Sequence, residues 1–197
     1  MGVTRTFRIM AAAVAVGALA GCASNLDDLD GPVRPLGDFY LGHNVVVASS
    51  ATKGPLSRDA SEEELETALK AAIDQRFRRF DGERLYHIAI SVDGYVLAQP
   101  GIPVVAAPRS ALIFGVTIWD DALETKLNDP PHRITVLEDL SGDTVVGSGL
   151  TRTAEEQLEA LAYNAARATE RWMRENMEWF TTHPPTVPAA VPAAAAD

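Results

Sequence analysis

Two rhythms of apolar and polar residues run along this chain. Leu65, Leu69, Ile73, Phe77 and Phe80 recur at spacings of four, four, four and three. That is one stripe on a helix facing a core. Ser61 with Glu64 precedes the stripe as a capping box, and Asp81-Gly82 marks its end. The second rhythm has period two. In Leu85 to Ala98, Tyr86, Ile88, Ile90 and Val92 fall on one face of a strand. Asp93-Gly94 interrupts that run, as either a hairpin turn or a bulge. Ser110 to Asp120 (SALIFGVTIWD) is rich in strand formers and reads as a central strand. Phe39 to Ser49 carries a β-branched run, Val45 to Val47, which predicts a buried strand. Ile134 to Glu138 and Thr144 to Val146 flank Ser141-Gly142 as a hairpin, closed by Gly147-Ser148-Gly149. Thr153 and Glu156 form a second capping box. Behind it run Leu158, Leu161, Ala162, Ala165, Thr169, Trp172, Met173 and Asn176, carrying a helix to about Trp179-Phe180.

The element order is strand, helix, three or more strands, helix. It predicts an α+β fold, a single antiparallel-rich sheet with two helices packed on one face. The regions outside this body have other compositions. Ile9 to Ala20 is a run of 12 apolar or small residues behind Arg5 and Arg8, the only charges before Asp27. A membrane-spanning helix needs about 20 such residues, so this run reads as a secretory signal. Ala18-Leu19-Ala20 fits cleavage by ordinary signal peptidase. Leu19-Ala20-Gly21-Cys22 resembles the bacterial lipobox and holds the only cysteine of the chain. The lipobox is the preferred reading, because a leftover thiol in an exported protein is a liability. It implies lipid on Cys22, and Ala23 at the next position favours the outer membrane by resemblance to the lipoprotein sorting rule. The predicted organisation is therefore signal peptide 1–21, tether 22–37, domain 38–180 and Pro/Ala-rich tail 181–197, expected to be disordered.

Charge narrows the partners. Removing Arg5 and Arg8 from the 17 basic residues leaves 15 against 27 acidic ones, a mature net charge of −12. Nucleic acid is a poor partner for such a surface, and the lipid itself must hold the protein to a bilayer. With Cys22 modified no disulfide is available, so the core alone must stabilise the fold.

Searches for chemistry return little. Asp27, Asp28, Asp30 and Gly31 fail the EF-hand spacing and read as solvated linker. Ser148 lacks the nucleophile-elbow glycine, since Val146 stands there, and Gly147 and Gly149 lack the third glycine of a dinucleotide loop, since Arg152 stands there. His43, His87 and His132 lie far apart in sequence, and His183 lies in the tail; edge histidines are preferred to a metal site. Asp120 and Asp121 are neighbours on a strand and point to opposite faces, which argues against a cooperating acid pair. Tyr95, Ile102, Pro103, Val104 and Val105 suggest an apolar loop, packed on the sheet edge or offered as a docking surface or lid. No catalytic residue, metal site or cofactor is expected.

Pro100 to Asp121 (PGIPVVAAPRSALIFGVTIWDD) and Gly147 to Gln157 (GSGLTRTAEEQ) resemble an uncharacterised family of small proteobacterial outer-membrane lipoproteins. The resemblance covers about residues 38 to 180. It implies no activity and carries over no functional residue except the lipobox Cys22. The element order is also similar to small auxiliary lipoproteins of lipopolysaccharide and phospholipid transport machines, a likeness of fold alone. The expectation is an envelope lipoprotein on the periplasmic side of the outer membrane, a non-enzymatic accessory or scaffold with a protein partner. A carrier of lipid or a small hydrophobe is the alternative. An envelope hydrolase is the third; it requires a Ser or Asp in reach of a His.

Overall fold

A computed structural model describes residues 29–99, 109–138 and 152–181. The chain divides into two units, Met1–Val33 and Arg34–Asp197. In the second, β1 (Phe39–Val47) and the short β2 (Thr52–Lys53) lead to α1 (Glu62–Phe77). Then follow β3 (Arg84–Val96), β4 (Ala111–Asp120), β5 (Thr125–Lys126) and β6 (His132–Leu137). The helix α2 (Ala154–Glu175) and the single turn α3 (Glu178–Thr181) complete the described elements.

These form one α+β layer pair. The six strands make a single sheet with β3 and β4 at its centre. β1 and β2 run parallel to one side of β3; β4 runs antiparallel to its other side and carries β6 and β5 on its own far edge. The sheet is thus antiparallel-rich but mixed, because a helix connection returns the chain from β1 to β3 in the same direction. Asn128 bridges the gap between β6 and β5. Its Nδ2 donates to Val116 O and its Oδ1 accepts from Ile118 N, both at 2.9 Å.

Both capping boxes form. Ser61 and Glu64 close α1, and Thr153 and Glu156 close α2. Leu65, Leu69, Ile73 and Phe77 bury the α1 stripe, while Phe80 is buried beyond the helix end. α1 lies over β1, α2 over β4 and β6, and the helices pack on each other. Phe39 is the hub of the core. The rings of Phe77, Phe80, Tyr86 and Phe180 surround it at 5.5–5.9 Å. Arg34 to Gly37 lie in this unit. Leu36 is buried, and Arg174 donates to the carbonyls of Arg34 and Pro35.

Three expectations are resolved or corrected. Asp93-Gly94 is a bulge inside one long strand, with the register to β4 shifting between Val92 and Gly94. Val45 to Val47 form a strand, yet only Val46 is buried; Val45 and Val47 are 48% and 47% exposed. Among the described residues helices cover one face of the sheet, so side chains alternate in and out. Tyr95 belongs to β3 rather than to an apolar loop: it is buried, and its hydroxyl donates to Ala60 O and accepts from Ala60 N. The Ser141-Gly142 turn, Ile102 to Val105 and the tail from 182 onwards lie outside the described residues.

Candidate functional site

Two polar clusters meet where β3 begins and β4 ends, one on each face of the sheet. Strand alternation separates them. Arg84, Tyr86 and Asp120 point to the helices, whereas His87 and Asp121 point away.

On the core side, Arg84 Nε and Nη2 grip both carboxylate oxygens of Asp120 at 2.8–3.3 Å. Arg84 is 9% exposed and Asp120 1%. Leu123 N also donates to Asp120 Oδ1, at 3.0 Å, so the carboxylate is well supplied with donors. Next to it the Tyr86 hydroxyl donates to Trp179 O at 3.1 Å. Burial first, and the Asp120 charge second, push the Tyr86 hydroxyl well above the usual tyrosine range, with Arg84 opposing. A bidentate guanidinium–carboxylate pair of this kind fixes geometry.

On the open face, the bulge of β1 brings two distant histidines together. His43 and His87 sit with ring centroids 4.8 Å apart and planes tilted by 37°. His43 N donates to His87 Nδ1 at 2.8 Å, and His87 Nε2 lies 3.0 Å from Asp121 Oδ1. A carboxylate can only accept here and a backbone N–H can only donate, so the proton of the neutral ring sits on Nε2. Both ring nitrogens are engaged. Gly42 makes this approach feasible, since a Cβ there would stand 2.5 Å from His87 Nδ1.

His43, His87 and His132 lie far apart in sequence, and the sheet brings the first two together. His132 is elsewhere, stacked on Trp172 at 4.4 Å with planes 3° apart. Asp120 and Asp121 do face opposite ways, as alternation requires. What sequence reading missed is Arg84, the inward partner of Asp120. The signal was there: Arg84 is in phase with Tyr86, Ile88 and Ile90, so it must enter the core and find a counter-charge. Among the described residues, neither histidine ring of the pair bonds a serine or threonine hydroxyl, and no group of three or more His, Cys, Asp or Glu could hold a metal. Cys22, Asp27, Asp28, Ser148 and His183 lie outside the described residues. No helix among the described residues is long and apolar enough to cross a membrane.

The rest of the open face is apolar in patches. Tyr40, Val45, Val47, Leu85, Ile113 and Leu137 are between 38% and 50% exposed.

No protein-family profile and no curated protein sequence matches the chain. Solved structures do. A DUF330-family protein from Xanthomonas campestris is 13% identical, with 75% of this chain and 93% of that one covered and a TM-score of 0.39. A minor lipoprotein from Acinetobacter baumannii is 15% identical, covering 73% and 96%, with a TM-score of 0.33. The PelC dodecamer from Paraburkholderia phytofirmans is 9% identical, covering 68% and 89%, with a TM-score of 0.36. At these scores the roles of those proteins are not carried to this chain.

Proposed function

We propose that this chain is a lipid-anchored envelope lipoprotein on the periplasmic side of the outer membrane. In this reading it acts as a non-enzymatic accessory or scaffold toward a protein partner in envelope assembly or transport. Cys22 would carry the lipid, and the α+β domain the partner contact. One observation of the site carries the non-enzymatic part. The acids and the base best placed for chemistry are consumed in structural bonds: Asp120 by Arg84, and both nitrogens of His87 by His43 N and Asp121. The anchoring part rests on Leu19-Ala20-Gly21-Cys22 behind a short apolar run. One acyl chain binds a bilayer only marginally, whereas two or three hold it stably.

The test is in-cell crosslinking with mass spectrometry on the wild type and on Cys22→Ser, together with membrane fractionation. The wild type is expected in the outer-membrane fraction, crosslinked to a defined envelope protein. Cys22→Ser is expected to lose both. Retention of the variant in the membrane would overturn the anchor. A wild type that crosslinks to no envelope protein would overturn the accessory role.

A further inference from the structure

We propose that the bulge of β1 is a proton-sensitive clasp, which releases the Gly42-His43 segment when His87 takes up a second proton. Between Leu41↔Tyr86 and Asn44↔Ile88, two residues of β1, Gly42 and His43, oppose the single residue His87. The amide of His43 bonds the imidazole of His87 instead of a strand carbonyl. A bulge leaves its extra residue out of the ladder; here a side chain has taken the place of the missing acceptor.

That acceptor can be lost. Asp121 fixes the existing proton on Nε2, so a second proton can only go to Nδ1, the atom that receives the His43 N–H. The imidazolium has donors on both nitrogens. Nδ1–H and the His43 N–H would then point at each other, and the clasp must open. Histidine is the side chain whose charge ordinarily changes between about pH 5 and pH 8.

The groups facing His87 act in both directions. Asp121, at the end of β4, favours the imidazolium. The His43 ring, packed against it from β1, opposes it once charged itself. Across β4, His87 faces Trp119, and Lys126 of β5 lies beyond that, a further opposing charge. Tyr40 lies on the same face across from Leu85. Opening is confined to the bulge. Phe39, Leu41 and Val46 are buried on either side of it, and Asn44 Nδ2 stays bonded to Lys70 O at 2.9 Å.

Hydrogen exchange at single-residue resolution on the full chain tests this, with intrinsic exchange rates divided out. The protection of the His43 amide is expected to fall about tenfold between pH 7.5 and pH 5.5, the scale of one lost hydrogen bond. Amides at Leu41 and Val46 are expected to stay protected. In His87→Asn, where a side-chain oxygen accepts and residue 87 can take up no proton, the protection should be flat with pH. In His43→Ala, which keeps the backbone N–H, the fall should remain. Equal wild-type protection at both pH values would overturn the proposal, as would a fall that survives in His87→Asn. Should that variant fail to fold, the imidazole nitrogen shifts of the wild type decide. A proton on Nε2 and a bare, bonded Nδ1 at pH 7.5 support the clasp; the opposite tautomer overturns it.

Discussion

At the scale of single residues, the positions that matter most are those where one atom more would collide with backbone. Gly37 has φ +57°, and a Cβ there would lie 2.4 Å from Phe180 O. Gly37→Ala therefore meets both an unfavourable backbone region and the C-terminal turn that closes the core. We expect a loss of about 2–4 kcal/mol in urea unfolding. The Arg84–Asp120 pair predicts a different pattern. Asp120→Asn leaves a buried guanidinium without its counter-charge and should cost about 3–5 kcal/mol. Replacing both, as Arg84→Met with Asp120→Leu, should recover much of that, a sign of coupling that a double-mutant cycle reads directly. Tyr86 adds a pH dependence. Its folded-state pKa is raised, so its contribution is intact below the unfolded value of about 10 and fades as pH rises above it. Stability of the wild type should fall above that pH. In Tyr86→Phe that slope should be shallower, although the bond to Trp179 O is lost at every pH. Alternation along β3 and β4 makes the opposed directions of Asp120 and Asp121 readable from sequence. The meeting of His43 with His87 is not readable in that way, because it depends on an extra residue in β1, and no local periodicity announces a bulge at Gly42.

At the scale of elements, the helices were legible and the sheet edges were not. Each helix carries its own start signal and a stripe at constant spacing, information that is local to the chain. The two-residue strands β2 and β5 have no such pattern; each exists because a neighbour offers a free edge, β3 to Thr52-Lys53 and β4 to Thr125-Lys126. The parallel pairing of β1 with β3 is likewise set by where α1 returns the chain, which composition does not encode. Val45 to Val47 misled for the same reason, since a β-branched run fits a fully buried strand and a half-open one equally. The caps give this scale its prediction. Ser61→Ala removes the acceptor for Glu64 N and the hydroxyl bonded to the Glu64 carboxylate, and should destabilise by about 1 kcal/mol. The Ser61 amide and hydroxyl hold the Glu64 carboxyl below its usual range. The cap is therefore complete above the unfolded pKa of Glu64 and weakens as pH falls through the lower folded value. The gap between Ser61→Ala and wild type should narrow in acid without closing, because Ser61 Oγ still accepts from Glu64 N there.

At the scale of the whole molecule, the question is where the folded unit starts. Composition puts the change at Gly37, because Ala23 to Gly37 is polar and turn-rich. The fold uses more of it than composition suggests. Leu36 is 1% exposed, Arg174 binds the carbonyls of Arg34 and Pro35, and Asp38 N donates to Phe180 O at 2.8 Å. The strand that opens the sheet is thus gripped, together with the five residues before it, by the C-terminal end of α2 and the turn after it. A chain beginning at Arg34 is expected to unfold at the same temperature as one beginning at Cys22, since the contacts named above are all made by Arg34 and residues after it. A chain beginning at Asp38 loses the burial of Leu36, about 1.5–3 kcal/mol, and the two bonds from Arg174. At about 2–4 °C per kcal/mol for a chain of this size, its Tm should drop by roughly 5–10 °C. Equal Tm values for the chains starting at Arg34 and Asp38 would place the boundary at Gly37 after all. A drop already present in the chain starting at Arg34 would mean that residues before it take part in the fold.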